Sequence, residues 1–161
     1  MGRIYTFVAE GLALADNVSG DLLVLQAADN RPFQVVRSQV TQREQELAQQ
    51  TRFRLVRRGG ANGTPGAGTV TVAMHQKSDA LTAAVASCNH TAMAPSLGAE
   101  VGVLDATSES LPNGYVYLPP LELRVFFCGV GDFFAINLPA PHGITGQVIT
   151  FDVTVAIEEF D

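Results

Sequence analysis

The stretch of sequence that decides the fold is Gln147-Val-Ile-Thr-Phe-Asp-Val-Thr-Val-Ala-Ile-Glu-Glu159. Large apolar residues occupy every second position from Ile149 to Ile157, and the positions between them carry threonine, aspartate, alanine or glutamate. Successive side chains of a β-strand point to opposite faces. The alternation therefore predicts a long strand with one face on a core, and it indicates an all-β protein.

The rest of the chain contains shorter strand-like segments separated by residues typical of turns. We predict strands at 3–9, 21–27, 33–40, 51–57, 69–74, 99–105, 115–118, 121–128, 132–138 and 147–158. Gly129-Val-Gly131-Asp132 predicts a tight hairpin between two aromatic-rich runs. Because no regular helices separate the strands, a parallel α/β sheet is disfavoured. We predict one β-sandwich domain over residues 1–161, with jelly-roll connections, and a closed up-and-down barrel is the alternative.

Two segments are candidates for helix. Thr41-Gln-Arg-Glu44 matches a capping box and is followed by good helix formers, which predicts one short surface helix. Residues 78–87 are compatible with either helix or extended chain. Residues 59–68 are rich in glycine, and we predict a flexible loop within the domain.

Composition limits the classes of function. The 161 residues are 47% hydrophobic and only 16% charged, which indicates that part of the surface is buried in an assembly. The formal net charge is −6, with a net +2 over residues 1–60 and a net −8 over residues 61–161. An acidic chain disfavours nucleic acid as a partner. Apolar runs too short for a membrane span and a start that enters a strand directly predict no membrane partner and no secretion signal.

The motifs of common active sites are missing from the sequence. His75, His90 and His142 do not provide the paired ligand spacings of a zinc site, although Cys88-Asn-His90 is suggestive in isolation. There is no Gly-x-Ser-x-Gly elbow, and the glycine-rich segment lacks the ending of a phosphate-binding loop. We predict no catalytic residues, no metal site and no cofactor.

Two further features receive ordinary structural interpretations. Cys88 and Cys128 are expected to be reduced and buried. Glu158 and Glu159 are expected to be solvated charges near the end of the chain.

The most informative charged segment is Arg52-Phe-Arg-Leu-Val-Arg57-Arg58. On a strand, Arg52 and Arg54 share one face and Phe53 shares the other with a leucine. The segment is either an ordinary solvated strand face or a contact strip for an acidic partner, because arginine pairs bidentately with carboxylates. We take Arg52, Arg54, Arg57 and Arg58 as candidate partner-binding residues, and we expect their replacement by serine to weaken binding while leaving folding intact.

Several segments together resemble small tailed-bacteriophage proteins. They are Tyr115-Val-Tyr-Leu-Pro-Pro120, the Leu-Arg-Val that follows, Phe134-Ala-Ile-Asn-Leu-Pro139, Val35-Val-Arg-Ser-Gln-Val-Thr-Gln42 and the closing strand after Gly146. The resemblance covers most of the chain through strand order and loose motifs. It implies a virion structural protein: a jelly-roll capsid decoration (cement) protein, commonly trimeric, that has no catalytic residues.

The expected function is therefore to bind the major capsid protein and stabilise the capsid lattice as a homotrimer at the virion surface, after assembly in the host cytoplasm. A tail, neck or head-fibre component is the alternative among virion proteins. A carbohydrate- or ligand-binding β-sandwich is the alternative outside them; the absence of tryptophan disfavours it, but Tyr5, Tyr115 and Tyr117 remain available for stacking. An enzyme is the third hypothesis.

Overall fold

A computed structural model describes residues 2–15, 20–43, 50–60, 66, 68–76, 80–90, 99–110, 114–139 and 148–160. Two antiparallel sheets pack against each other, which confirms the predicted all-β sandwich. The described strands are β1 (Arg3–Ala15), β2 (Gly20–Gln26), β3 (Phe33–Gln42), β4 (Gln50–Gly59), β5 (Val70–Met74), β6 (Val85–His90), β7 (Ala99–Ser110), β8 (Tyr115–Tyr117), β9 (Phe126–Phe127), β10 (Asp132–Leu138) and β11 (Val148–Glu159).

The order of the strands brings the two halves of the chain together. Sheet A has the order β5-β1-β11-β3-β8, with β9 also paired to β3, and sheet B has the order β6-β2-β10-β4-β7. Strands β1 to β4 alternate between the sheets, and the late strands β11 and β10 insert between them. This order is consistent with the predicted jelly-roll connections, in which later strands fold back between earlier ones.

The core forms where the inner faces of the two sheets meet. Strand β11 alternates between buried and half-buried side chains from Ile149 onward, as its sequence predicts. Phe151 of sheet A meets Phe53 of sheet B edge to face, with ring centroids 5.7 Å apart. Each fully buried aromatic or branched aliphatic side chain of this kind contributes about 1.5–3 kcal/mol.

The outer face of sheet B is also buried at its centre. Phe133 and Ala135 alternate with core residues along β10, so they point away from the core, and both are buried. They form a second apolar cluster with Val24 of β2 and Val56 of β4. Strand β10 is thus buried on both faces, which agrees with its almost continuous run of apolar residues.

Two predicted segments differ in the structure. Over residues 121–128 a single strand was predicted, but Leu121–Leu123 form a 3-10 turn and only Phe126–Phe127 pair as a strand, after the two consecutive prolines 119 and 120. The glycine turn at 129–131 is tight, with Gly129 and Gly131 at positive φ. It is not a hairpin, because β9 pairs with β3 in sheet A while β10 belongs to sheet B.

The structure describes parts of the two helix candidates and of the glycine-rich segment, and the described parts are not helical. Thr41 and Gln42 are paired residues of β3, and residues 44–49 of the predicted surface helix lie outside the described residues. Over residues 80–87 the helical alternative is wrong, because the chain is extended and enters β6, which pairs with β2. Of the glycine-rich segment at 59–68, Gly59 ends β4 and the described remainder consists of Gly60, Gly66 and Gly68.

A β-bulge in β1 is held by a carboxylate of β11. The register shifts between Ala9 and Leu12, and Gly11 takes φ 66°, which glycine adopts without strain. The Gly11 amide donates to Asp152 Oδ1 at 2.8 Å, and Arg43 Nε donates to the same carboxylate at 2.8 Å. Partial burial raises the pKa of Asp152, but these hydrogen bonds and the Arg43 charge outweigh it, so the pKa lies below its usual value.

This lowered pKa predicts a pH-dependent contribution to stability. A carboxyl group whose pKa is lower in the folded state stabilises the fold above its unfolded pKa of about 4, and this contribution disappears as pH falls through the folded pKa. We expect Asp152→Asn to cost up to about 1 kcal/mol at pH 7. Urea unfolding at pH 7, 5, 4 and 3 should show the difference from wild type constant at the two higher values and shrinking below them. A difference that grows on acidification contradicts the lowered pKa.

Candidate interaction surfaces

The predicted arginine strip lies on β4, where its members have different environments. Phe53 and Leu55 point into the core, and Arg52 and Arg54 lie on the opposite face, as the alternation predicted. Arg52 is exposed and Arg54 is half-buried. Arg58, further along the strand, is only 3% exposed. The four arginines therefore do not form one accessible surface.

Arg58 belongs to a buried hydrogen-bonded network on the outer face of sheet B. Its Nε donates to Asp21 Oδ2 at 2.7 Å and its Nη2 donates to Oδ1 at 3.0 Å. Asn137 Nδ2 donates to the same Oδ1 at 2.7 Å and to the Gly20 carbonyl at 3.2 Å. The register places Ala135 of β10 between the two charges. A bidentate pair this deeply buried is part of the fold and is not available to a partner.

Arg57 and Arg54 are also paired within the chain. Arg57 donates to both carboxylate oxygens of Asp132, at 2.8 and 2.7 Å, and its guanidinium lies over the Phe127 ring. The hydrogen bond to Asp132 raises the pKa of Arg57 above its ordinary value, against the opposing effect of burial. Arg54 pairs with Glu100 of the neighbouring strand β7.

These pairs explain the uneven distribution of charge along the chain. In the described part of the molecule, four ion pairs join a cation of residues 1–60 to an acid of residues 61–161: Arg31–Glu159, Arg43–Asp152, Arg54–Glu100 and Arg57–Asp132. The asymmetry therefore serves largely to join early strands to late strands. Of the four candidate contact residues, Arg52 is the one whose side chain makes no hydrogen bond or ion pair to another described residue. Its role in partner binding stays a prediction.

One lateral edge of the sandwich is lined by exposed apolar side chains. Edge strand β7 of sheet B lies beside edge strand β8 of sheet A, since the Tyr115 hydroxyl donates to the Asp105 carboxylate. We call this region the β7–β8 edge and define it by Val101, Val103, Leu118, Leu121 and Leu123. The three leucines are 65%, 67% and 66% exposed. Several exposed large apolar residues at one edge are typical of an interface.

Two irregularities make β7 a poor template for another strand. Its register with β4 shifts between Leu55 and Val56 and again between Arg57 and Arg58. Bulges on an edge strand twist it away from a straight pairing geometry. A partner at the β7–β8 edge is therefore expected to make side-chain contacts.

A cleft opens at this edge between β7 and the segment that follows β8. Its volume is about 380 Å³, and the described residues that line it include Leu104, Tyr117, Leu118, Leu123 and, as the acidic member, Asp105. Burial, and secondarily the Asp105 charge, raises the pKa of Tyr117 above its ordinary value. The described wall of the cleft is thus mainly apolar, with Asp105 as its acid.

The opposite lateral edge, formed by β5 and β6, differs in character. Val72 and Met74 of β5 and Val85 of β6 are exposed, and neither strand contains a charged residue. The segment before β6 is attached to β1, because the Tyr5 hydroxyl donates to the Ala80 carbonyl at 2.8 Å. Leu81 nearby is 78% exposed.

The burial predicted for the two cysteines is found for one of them, and one of the three histidine side chains lies among the described residues. Cys88 is buried as predicted, and burial raises the pKa of its thiol. Cys128 is exposed, so the prediction of burial is wrong; the residue follows the short strand β9 and begins the glycine turn. His75 is exposed and its Nε2 lies 2.8 Å from Thr6 Oγ1. The His90 side chain and His142 lie outside the described residues.

A buried carboxylate at the end of β11 was missed from the sequence. Glu159 is buried, not solvated; it accepts hydrogen bonds from the Thr82 hydroxyl at 2.8 Å and from the amides of Ala83 and Ala84 at 2.9 and 3.1 Å. Arg31 Nη1 lies 3.7 Å away. The alternation of β11 was the available signal, because position 159 continues the inward-facing set.

Nowhere in the described ranges do three or more His, Cys, Asp or Glu side chains gather as a metal ion would need. Among the same residues, no helix has the length and apolarity needed to cross a membrane. The chain matches no protein-family model, no curated protein and no solved structure at a significant level.

Proposed function

We propose that the chain is a non-enzymatic structural protein of a tailed-bacteriophage virion. It acts as a decoration (cement) protein that assembles in the host cytoplasm and binds the major capsid protein at the capsid surface as a homotrimer. The observation that carries the proposal is the β7–β8 edge, where Leu118, Leu121 and Leu123 are exposed on a sandwich whose interior is already closed. A protein of this kind works by binding energy alone, without a catalytic residue, cofactor, nucleic acid or membrane.

The binding energy would come mainly from burying this edge. Fully burying one leucine contributes about 1.5–3 kcal/mol, so two or three leucines at a desolvated centre are enough to dominate an interface. Arg52 is the exposed cation of the strip with no described partner. In this proposal Arg52 sets the register against an acidic surface, since rim charges affect orientation and association rate more than affinity.

Binding to capsids tests the proposal. Purified protein is first checked for a trimer by light scattering over a dilution series, and then titrated onto capsids of the phage that encodes it. Wild type should bind saturably at a fixed number of copies per capsid. The double variant Leu121→Ser/Leu123→Ser should bind at least about tenfold more weakly, because both side chains lose apolar burial.

The matched control is Leu81→Ser, which changes a leucine near the opposite edge that is even more exposed than Leu121 and Leu123. We expect it to bind like wild type. Unchanged occupancy of the double variant would remove the β7–β8 edge from the interface, and no binding by wild type would overturn the decoration role. A tail, neck or head-fibre position is distinguished by counting copies of the protein on purified heads and tails.

A further inference from the structure

The cleft at the β7–β8 edge has the features of a recognition site. Its volume of about 380 Å³ falls within the usual range for sites that bind one side chain or a small molecule. Leu104 and Val125 form its inner part and pack against the main core, and Leu118 and Leu123 form an exposed rim. A group entering the cleft would therefore pass from solvent onto a wall that is already fixed by the core.

The acidic member of the wall has unused hydrogen-bonding capacity. Asp105 accepts the Tyr115 hydroxyl on Oδ2 and the Ala106 amide on Oδ1 at 2.9 Å. A carboxylate offers about four lone-pair positions, so two acceptor sites remain. Among the described residues no cation lies within ion-pairing distance of Asp105. The nearby Arg124 directs its Nε toward the Pro119 carbonyl at 3.5 Å, and Glu122 on the adjoining turn adds a second, exposed acid.

We propose that this cleft is the docking site for a basic, apolar segment of a partner protein. A side chain of the partner buries its aliphatic or aromatic part between Leu104, Tyr117, Leu118 and Leu123. Its ammonium or guanidinium group, at the end of that side chain or on the next residue, donates to the free acceptor positions of Asp105.

Charge balance favours a partner as the source of this cation. The chain has a net charge of −6, and the cations Arg31, Arg43, Arg54, Arg57 and Arg58 are paired with acids elsewhere in the fold. Within the described part of the chain, Asp105 is a half-buried carboxylate with no ion-pair partner, and the apolar rim beside it is exposed. Such a surface is complementary to a group that is both cationic and apolar. The proposal does not depend on the capsid role, and either can fail without the other.

A pair of fragments tests the recognition directly. Phenylbutylamine and phenylbutyrate share the same apolar body and carry opposite charges. Methyl NMR of the leucines and valines would follow titration of each into the full chain, up to about 10 mM. We expect the amine to shift the methyl signals of Leu104, Leu118, Leu123 and Val125 saturably, and the acid to bind at least about tenfold more weakly.

Asp105→Asn removes the charge but keeps a carbonyl oxygen that can accept the Ala106 amide, while its NH2 group can donate to the Tyr115 hydroxyl oxygen in place of the bond that Oδ2 accepted. It should abolish the preference for the amine. Glu10→Gln, which removes one negative charge on β1, should leave the preference unchanged.

Equal binding of both fragments, or a preference that survives Asp105→Asn, would overturn recognition of a cation. Absence of shifts at these methyls would overturn docking in the cleft. Self-association lost in both Asp105→Asn and Arg52→Gln would instead identify a second copy as the occupant and overturn the assignment to a partner.

Discussion

Replacement of Arg58 by methionine is expected to lower the free energy of unfolding by about 3–5 kcal/mol. The reason is the burial of the ion pair: Asp21 is 1% exposed and Arg58 is 3% exposed. Removing the guanidinium leaves the Asp21 carboxylate with the Asn137 amide as its side-chain hydrogen-bond donor among the described residues, so a buried charge is left uncompensated. Urea unfolding, monitored by circular dichroism, measures the loss.

Two further variants distinguish the effect of breaking the buried ion pair from the effect of removing any arginine of this strand. Arg52→Ser removes an exposed arginine of the same strand and should change stability by less than about 0.5 kcal/mol. Asp21→Val/Arg58→Met replaces both members by apolar side chains and should recover much of the loss, because an apolar pair carries no desolvation cost. If Arg58→Met does not fold, recovery of folding in the double variant still supports the account. Arg58→Met as stable as Arg52→Ser would contradict it.

This result bears on the arginine strip predicted from the sequence. Replacing Arg52, Arg54, Arg57 and Arg58 together by serine was expected to weaken binding and leave folding intact. With Arg57 and Arg58 engaged in bidentate pairs, that variant would lose stability as well as any contact with a partner. Arg52→Ser alone is the informative test of electrostatic docking.

Glu159→Ala is expected to cost about 2–4 kcal/mol. The carboxylate accepts the Thr82 hydroxyl and the amides of Ala83 and Ala84, and it lies beside Arg31. Without it, buried amide donors lose a charged acceptor, and each unsatisfied buried group costs roughly 1–3 kcal/mol. The segment before β6 is therefore expected to detach first, which hydrogen exchange at Ala83 and Ala84 would detect alongside the drop in melting temperature.

The adjacent residue provides the control for this prediction. Glu158 is half-buried on the other face of β11, where it accepts a hydrogen bond from Gln34 Nε2 at 2.7 Å. Glu158→Ala should cost less than about 1 kcal/mol, because solvent can replace that single contact. Equal losses for the two variants, or unchanged amide protection at residues 83 and 84 in Glu159→Ala, would show that the carboxylate does not hold the segment.

Local pattern determined much about this protein. The alternation of β11 and the turn residues between segments were enough to predict an all-β sandwich and most of its strands. The face to which a strand residue points follows from its position in the local sequence, so this pattern can be read without knowing the fold. The same period placed Arg52 and Arg54 opposite Phe53. It failed at 121–128 and left 78–87 undecided between helix and extended chain, because short apolar runs are compatible with more than one backbone conformation.

Only the tertiary structure decided which charged residues pair with each other and which strands are neighbours in the sheets. Arg58 and Asp21 are 37 residues apart, and Glu159 and Ala83 are 76 residues apart; they meet because β10 and β11 insert between early strands. Local sequence period could not reveal that insertion, since it depends on which sheet edges pair across the whole chain. For the same reason the sequence marked the arginines as a surface strip, whereas the fold buried Arg58, paired Arg54 and Arg57 with acids and left Arg52 exposed.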